Sequence, residues 1–237
     1  MNEYTIFAIG DSAITIDFGN YISESLNKKV MAMQSWLHQN SFEGLVDIII
    51  AYSSLSIIYD PAVLASKNNI SKPVFEFVKQ KLTDAYHLSS VQERDRIVKR
   101  IPVCYDESFG PDLGFISSEK QIKMDEIVYL HTSITYRVYM IGFQPGFPYM
   151  ASVNERIAIP RKDKPRQLVA AGSVGLAGIQ TGVYPLDSPG GWQIIGRTPF
   201  KLFDKTKPNL LIMKPGDQVQ FYPVTMKEFS RLSNRRS

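Results

Sequence analysis

The sequence has 237 residues, of which 44% are hydrophobic and 21% charged, and its formal net charge is +4. This balance is typical of a globular protein and argues against a membrane protein, because the longest apolar stretches, such as 48–51, are far shorter than the ~20 residues of a membrane span. The single Cys104 and three separated histidines exclude an internal disulfide and a zinc-type cluster, and no secretion signal is visible, so we expect a reduced, cytoplasmic protein without a metal site.

The excess of positive charge lies in residues 101–237, scattered among glycines and prolines. These cations do not form a recognisable nucleic-acid motif, so we predict no nucleic-acid partner. An anionic small molecule or an acidic partner surface fits this charge better.

The first hundred residues alternate between strand-like and helix-like patterns. Apolar residues at every second position predict strands over 5–9 and 14–18. Ser23 is a suitable N-cap for a helix whose apolar residues recur every three or four positions as far as Leu37. Strands over 46–52 and 56–59, a helix over 74–82 and a strand over 96–103 follow. This order favours an α+β sandwich of ferredoxin-like type.

The second half of the sequence has a different composition and pattern. Helices are predicted over 112–116 and 125–133, and a strand over 136–142. More than half of the glycines and half of the prolines lie between 142 and 199, which favours a compact β-barrel of short strands. These strands are predicted over 174–177, 180–184 and 192–195, with a closing pair over 210–213 and 219–222. We therefore predict two domains, 1–95 and 96–237.

Two familiar motifs are incomplete in this sequence. The glycine-rich stretch 172–178 lacks the Lys-Ser/Thr of a phosphate loop and does not open a helix. Ser173 lies in a near match to a nucleophile elbow, but the residues after it are strand-like. Neither motif predicts a self-sufficient ATPase or a serine hydrolase.

The remaining candidates form a set of cations and hydrogen-bonding groups that suits a small anion. Arginine matches carboxylate and phosphate, while neutral polar groups orient a ligand in a largely apolar pocket. The alternative is that the arginines pair at the surface with Asp163, Asp187 or Asp204. The candidate set comprises Arg161, Arg166, Ser173, Gln180, Thr181, Tyr184, Trp192, Arg197 and Thr198.

His131 and the segment 142–150 are considered separately. His131 is either a proton carrier or, more commonly for a helix histidine, a structural residue. The segment 142–150, GFQPGFPYM, predicts a rigid corner that orders the site, because its prolines limit backbone freedom and its glycines permit tight turns. Its aromatic residues Phe143, Phe147 and Tyr149 are expected to line a pocket wall or a partner-facing patch.

Several ordered blocks identify a family. The sequence closely resembles the bacterial PxpB/KipI family, also called allophanate hydrolase subunit 1-like proteins, over nearly its whole length. The blocks that carry the resemblance are Gly10-Asp11-Ser12-Ala13, Ile101-Pro102-Val103-Cys104-Tyr105, Gly110-Pro111-Asp112-Leu113, Leu130-His131, Tyr136-Arg137-Val138, Gly142 to Tyr149, Pro160-Arg161, Pro165-Arg166, Ala171-Gly172-Ser173-Val174, Gln180 to Pro185, Ser188 to Trp192 and Ile195 to Pro199.

The resemblance implies an N-terminal α+β domain followed by a cyclophilin-like β-barrel. It implies the B component of an ATP-dependent 5-oxoprolinase, which converts 5-oxo-L-proline to L-glutamate together with a PxpA-like partner and a PxpC/KipA-like partner. ATP with Mg²⁺ would be a co-substrate at a site shared with the PxpC/KipA-like partner. Other members inhibit autophosphorylation of a sensor histidine kinase, and related domain pairs serve carboxyl transfer in urea carboxylase.

By analogy with this family, site residues can be assigned in this sequence. The catalytic candidates are His131, Arg166 and Arg197, and the substrate-binding candidates are Arg161, Ser173, Gln180, Thr181 and Tyr184. A prolyl isomerase is suggested only by the cyclophilin-like barrel, and a shared fold does not establish a shared function.

Overall fold

A computed structural model describes residues 4–67, 73–91, 98–207 and 210–234. The chain forms two compact units, Met1–Asp95 and Arg96–Ser237. Within the described ranges, no helix is both long enough and apolar enough to cross a membrane.

The first unit is a four-stranded antiparallel sheet with helices packed against it. Its elements are β1 (Thr5–Ala8), β2 (Ala13–Asp17), α1 (Glu24–Gln39), β3 (Leu45–Ile50), β4 (Ser54–Tyr59), α2 (Pro61–Lys67) and α3 (Val74–Leu88). The strands lie in the order β1-β2-β4-β3, so β2 and β4 are the central pair.

The core of the first unit lies between its sheet and the helices α1 and α3. The first helix begins as predicted, because the Leu26 N–H donates to the Ser23 Oγ at 3.4 Å and satisfies one free donor of its first turn. Val30, Met33 and Leu37 then recur on one face of α1 and are fully buried.

The second unit is built mainly of short strands. Its elements are β5 (Val98–Val103), α4 (Leu113–Lys120), α5 (Met124–Thr132), β6 (Thr135–Ile141), β7 (Pro148–Ala151), a 3-10 turn (Glu155–Ile157), β8 (Arg166–Val169), β9 (Ser173–Ala177), β10 (Gln180–Val183), β11 (Ser188–Gly190), β12 (Gln193–Arg197), β13 (Gln218–Pro223) and α6 (Met226–Asn234). Seven strands form one sheet in the order β12-β9-β10-β7-β6-β13-β5, and β8 pairs with β11 in a separate ribbon.

The seven-stranded sheet is nearly closed into a barrel. Its two edge strands meet just beyond β5, where Cys104 and Arg197 exchange backbone hydrogen bonds of 2.8 and 2.9 Å. Gly196 permits this approach, since a Cβ atom there would lie 2.8 Å from the Cys104 carbonyl oxygen. The barrel predicted for this half is compatible with this geometry, and Arg197 lies at the seam where the sheet closes.

The structure corrects the predicted strand order of the first half. The strand predicted over 96–103 was counted with the N-terminal sandwich, yet β5 pairs in parallel with β13 in the sheet of the second unit. Residues 96–97 lie outside the described ranges. Alternation identifies a strand but not its partner, so the ferredoxin-like order is not confirmed.

The prediction for the closing strand pair is half right. The turn is present, because Asp217 N–H donates to the Lys214 carbonyl at 3.1 Å, and β13 follows it. The strand predicted over 210–213 is wrong, since Leu211 makes an isolated bridge to Phe203 and no strand is formed there among the described residues. Met213 is buried in the barrel core, so this apolar run packs rather than pairs.

Candidate anion-binding cleft

A cleft of about 170 Å³ lies on the second unit, beside the strands β8, β9 and β12. Three predicted site residues line it, namely Arg166 at the start of β8, Ser173 at the start of β9 and Arg197 at the end of β12. Ser173 and Arg197 are direct partners in the β9–β12 ladder, which explains why they meet. The other lining residues are Ser108, Phe109, Pro111, Leu168, Val169, Ala170 and Ile194.

Arg166 is anchored by a buried carboxylate that sequence reasoning did not select. Its Nη2 donates to Asp112 Oδ1 at 2.7 Å, and Lys162 Nζ donates to the same oxygen at 3.1 Å. The Ile194 N–H donates to Asp112 Oδ2 at 2.6 Å. Burial by itself raises the pKa of Asp112, but the hydrogen bonds from Arg166, Ile194 and Lys162 together hold this pKa below its ordinary value. Asp112 is therefore an ionised anchor.

The other amine of Arg166 has no partner of its own. Its Nη1 is buried and lacks a hydrogen-bond partner among the described residues. A buried donor without an acceptor is costly, because it has lost water without gaining a protein partner. Since Arg166 lines the cleft and one carboxylate faces the two cations Arg166 and Lys162, an anionic ligand in the cleft would compensate the surplus positive charge.

Arg197 is held in place without using its terminal amines. Its Nε donates to the Ala171 carbonyl at 2.8 Å, and its guanidinium carbon lies 5.7 Å from the centre of the Phe109 ring. Within the part of the chain that the structure describes, Arg197 makes no ion pair. Two arginines with donors to spare therefore flank one small cleft.

The alternative of surface ion pairs is not observed, because no arginine among the described residues pairs with Asp163, Asp187 or Asp204. Asp187 accepts the Ala171 N–H at 2.7 Å, and Asp204 is bonded to Thr206 and paired with Lys207. The signal that could have selected Asp112 is local, because it directly precedes α4 and an aspartate is typical of a helix N-terminus.

His131 lies away from the cleft, in a closed network. Thr181 Oγ1 donates to the Gly175 carbonyl at 3.1 Å, so it accepts the His131 Nε2–H at 2.9 Å, and the Tyr105 hydroxyl donates to Nδ1 at 2.8 Å. The ring also stacks on Phe221 at 4.8 Å. Burial lowers the pKa of His131 to about 3, which keeps it neutral. This geometry favours the structural alternative, and Thr181 belongs to the same network.

The remaining substrate-binding candidates do not line the cleft. Arg161 is exposed, with its guanidinium carbon 5.8 Å from the centre of the Trp192 ring. Tyr184 is almost fully buried in an aromatic cluster, and Gln180 pairs with Ala151 at the start of β10. Their predicted contacts with a ligand stay predictions.

The segment 142–150 is a corner whose last three residues already belong to β7, a strand that the sequence analysis did not predict. Phe147 is buried and makes edge-on contacts with Tyr184 and Trp192, each at 5.2 Å between ring centres. Phe143, in contrast, is 63% exposed and has a left-handed backbone, with φ of 63°. None of the three corner aromatics lines the cleft, and the partner-facing alternative for Phe143 and Tyr149 stays a prediction.

Comparison with known proteins agrees with the resemblance seen in the sequence. Residues 4–213 match the family described as carboxyltransferase domain, subdomain C and D. The 5-oxoprolinase B subunit of Bacillus subtilis (strain 168) is 40% identical over 96% of this chain and 95% of its own length. The 5-oxoprolinase B subunit of Escherichia coli O157:H7 is 32% identical over 94% and 97%.

A solved structure extends the comparison to the fold. The crystal structure of TTHA0988 is 34% identical, with a TM-score of 0.74 over 90% of this chain, which spans 40% of that longer chain. The resemblance predicted from the sequence blocks is thus confirmed at the level of the family. The chain belongs to the carboxyltransferase family of subdomains C and D, in which the 5-oxoprolinase B subunits match it over nearly their full length.

Proposed function

We propose that this chain is the B component of a 5-oxoprolinase, which uses ATP to open the lactam of 5-oxo-L-proline to L-glutamate together with PxpA-like and PxpC/KipA-like partners. Two 5-oxoprolinase B subunits match the chain over more than nine-tenths of both lengths, which supports the assignment. The protein would act as part of a complex in the cytoplasm and be inactive alone.

One structural observation carries the assignment of the site. Arg166, held by Asp112, and Arg197, held through its Nε by Ala171, line the same cleft, and among the described residues the terminal amines of Arg197 have no hydrogen-bond partner. The substrate carries a carboxylate, and activation of its carbonyl adds negative charge. Guanidinium groups held in place before the reaction stabilise such charge well, because little reorganisation is needed. Arg166 and Arg197 are therefore the proposed catalytic residues, with Ser173 beside them for substrate binding.

The size of the cleft limits what it holds. At about 170 Å³ it falls below the ~300 Å³ of a usual small-molecule pocket, so it fits a small anionic group and not a whole nucleotide. We place ATP and its Mg²⁺ at a site completed by the PxpC/KipA-like partner, where ATP supplies the phosphoryl group that activates the carbonyl. Arg166 and Arg197 would meet the charge of the phosphate or of the substrate carboxylate.

The test is activity of the reconstituted complex. With its PxpA-like and PxpC/KipA-like partners, the chain should support glutamate formation that depends on both ATP and 5-oxoproline. Arg197→Lys should lower kcat/KM at least about tenfold, because it loses the planar fork and the anchor to Ala171. Arg156→Ala is the matched control, since Arg156 pairs with Glu126 at 2.6 Å and does not line the cleft.

Two results would count against this function. A complex without ATP- and 5-oxoproline-dependent glutamate formation would refute the assignment to a 5-oxoprolinase. Full activity of both Arg166→Ala and Arg197→Ala would instead separate the cleft from the reaction. The same kinetics applied to variants of Arg161, Gln180, Thr181, Tyr184 and His131 would test their predicted roles.

The finer description of the fold is also proposed. We infer that the first unit is a variant of the ferredoxin-like sandwich. The sheet order supports this inference, because β1 lies beside β2 at the edge position that the last strand of such a sandwich would occupy. The second is proposed as a cyclophilin-like barrel, supported by the nearly closed seven-stranded sheet. Cleavage by a protease between residues 91 and 98, leaving two stable fragments, would support the predicted domains 1–95 and 96–237.

The kinase-inhibitor alternative has no specific support in the described residues. Its test is simple, because the protein at saturating concentration should lower the autophosphorylation of a candidate sensor histidine kinase.

A further inference from the structure

The last helix, α6, lies on the surface but contacts both the seam of the barrel and a residue that lines the cleft. None of its described residues is fully buried. Its Met226 Sδ lies 3.5 Å from the Sγ of Cys104, the residue at the barrel seam. Its Phe229 ring lies 4.6 Å from the ring of Phe109, centre to centre, with 43° between the planes. Phe109 lines the cleft, so α6 contacts one of the residues that form its wall.

The backbone before Phe109 is fixed by a short turn. The Ser108 N–H donates to Asp106 Oδ1 at 3.0 Å, and the Phe109 N–H donates to the Asp106 carbonyl at 2.8 Å. These bonds hold the main chain, but they leave the rotation of the Phe109 side chain free. Ring contacts must therefore set the position of the Phe109 ring.

Phe109 contacts both Phe229 and the guanidinium of Arg197. The Arg197 guanidinium carbon lies 5.7 Å from the centre of the Phe109 ring, within the range of a cation–π contact. Arg197 has one further anchor, the bond from its Nε to the Ala171 carbonyl. The orientation of its terminal amines thus depends on the Phe109 ring, and the Phe109 ring depends on Phe229.

We propose that Phe229 is a positioning residue for the cleft, because it holds Phe109 in the orientation that aims the Arg197 guanidinium at a bound anion. For the reaction that the cleft serves, this inference rests on the proposed function. For the orientation of Arg197 it stands on the contacts alone.

A variant of Phe229 is expected to fold normally. The start of α6 is stabilised locally, since Thr225 Oγ1 accepts the Glu228 N–H at 3.3 Å and Glu228 Oε2 accepts the Thr225 N–H at 2.9 Å. Phe229 is itself only half-buried. Phe229→Ala should therefore leave the midpoint of urea unfolding close to that of the wild type.

The first test is kinetic and uses the reconstituted complex. Phe229→Ala should lower kcat/KM for 5-oxoproline about threefold, the size expected for loss of one exposed cation–π contact. Phe229→Tyr keeps the ring and should restore the wild-type value, while Lys227→Ala, exposed on the same helix, is the control. In the Arg197→Lys background, Phe229→Ala should have no further effect. Independent, multiplicative effects of the two changes would overturn the proposal.

The second test needs no enzymatic activity. In the NMR spectrum of the full chain, the Nε–Hε signal of Arg197 senses the Phe109 ring, and it should shift in Phe229→Ala but not in Lys227→Ala. If the Arg197 signal shifts in Phe229→Ala but the reconstituted complex has no oxoprolinase activity, the positioning role is supported and the proposed function fails. An unshifted signal in Phe229→Ala would refute the positioning role even if the complex is active.

Discussion

The cleft and the His131 network are two polar regions of the same unit, and they differ in how their polar atoms are satisfied. In the network, Tyr105, His131 and Thr181 bond to one another and to the Gly175 carbonyl, and the histidine is fully buried. In the cleft, both lining arginines keep guanidinium donors without a hydrogen-bond partner among the residues that the structure describes. An unsatisfied donor on a residue that lines a cavity therefore indicates binding, whereas a polar residue type alone does not.

The charge of the two regions differs for the same reason. The network is neutral, because burial disfavours the protonated imidazole and no carboxylate compensates it among its bonded partners. The cleft is charged because Asp112 stabilises the cations that surround it. Variants of the network should therefore act on stability alone, whereas variants of the cleft and of its anchor Asp112 should also change ligand binding.

The largest expected effect is that of removing the carboxylate charge beneath the cleft. Asp112→Asn leaves Arg166 and Lys162 without their counter-ion, and we expect a loss of about 3 kcal/mol in the free energy of unfolding, since both cations retain some contact with solvent. Urea unfolding measures this loss. Glu126→Gln, which breaks the surface pair with Arg156, should change stability by no more than about 0.5 kcal/mol. An equal effect of the two variants would show that Asp112 is no special anchor.

The next effect is the dependence of stability on pH. The pKa of His131 is about 3 in the folded protein and ~6.5 when unfolded, so the unfolded state binds the proton first as the pH falls. The stabilisation is fully present above pH 6.5 and decreases below it by about 1.4 kcal/mol per pH unit, or about 2 kcal/mol by pH 5.

Unfolding curves between pH 5 and 7.5 measure this dependence. His131→Gln should remove this part of the slope, whereas His38→Gln, at an exposed position on α1, should keep it. Identical slopes in the wild type and in His131→Gln would contradict the buried, neutral histidine.

A smaller effect is expected from the middle of the network. Thr181→Val keeps the shape of the side chain but removes the hydroxyl that joins His131 to the Gly175 carbonyl, and we expect a loss of about 1.5 kcal/mol in stability. Thr135→Val at an exposed position of β6 is the matched control. If Thr181→Val lowered oxoprolinase activity of a fully folded complex, the division between network and cleft would have to be redrawn.

The smallest expected effect is stabilisation by a bound anion. Inorganic phosphate at a concentration equal to its dissociation constant should stabilise the protein by about 0.4 kcal/mol through the cleft. Phosphate also stabilises proteins without specific binding, so the quantity to compare is the gain of the wild type over that of Arg197→Lys. Equal gains in thermal unfolding would show that the cleft does not bind phosphate.

Local pattern was sufficient for many elements of this protein. The cap at Ser23 and the apolar spacing of α1 predicted that helix, and the glycines and prolines between short segments placed β9, β10 and β12 close to their observed bounds. The short strand β7 was missed because its first three residues belong to the proline- and glycine-rich corner 142–150, which predicts a turn. The strand predicted over 210–213 failed because an apolar run packs equally well without a strand partner.

The site shows the same limit more clearly. Residue types selected Arg166, Ser173 and Arg197, which do share a cleft, but also His131 and Thr181, which share a closed network. Asp112 was missed because its partner Arg166 is 54 residues away along the chain. Nothing in the local sequence states which distant cation a carboxylate will meet.

The sequence by itself determined three things: the helices and strands that depend on neighbouring residues, the presence of arginines suited to an anion, and the family. Helix caps, apolar periodicity and ordered motifs are all local properties of the chain. Only the tertiary structure decided that β5 pairs with β13, that Asp112 lies beneath Arg166, and that His131 is enclosed. These outcomes depend on strand register and on packing between distant residues. Burial then decides which polar groups are neutral and only stabilise the fold, and which remain available to bind a ligand.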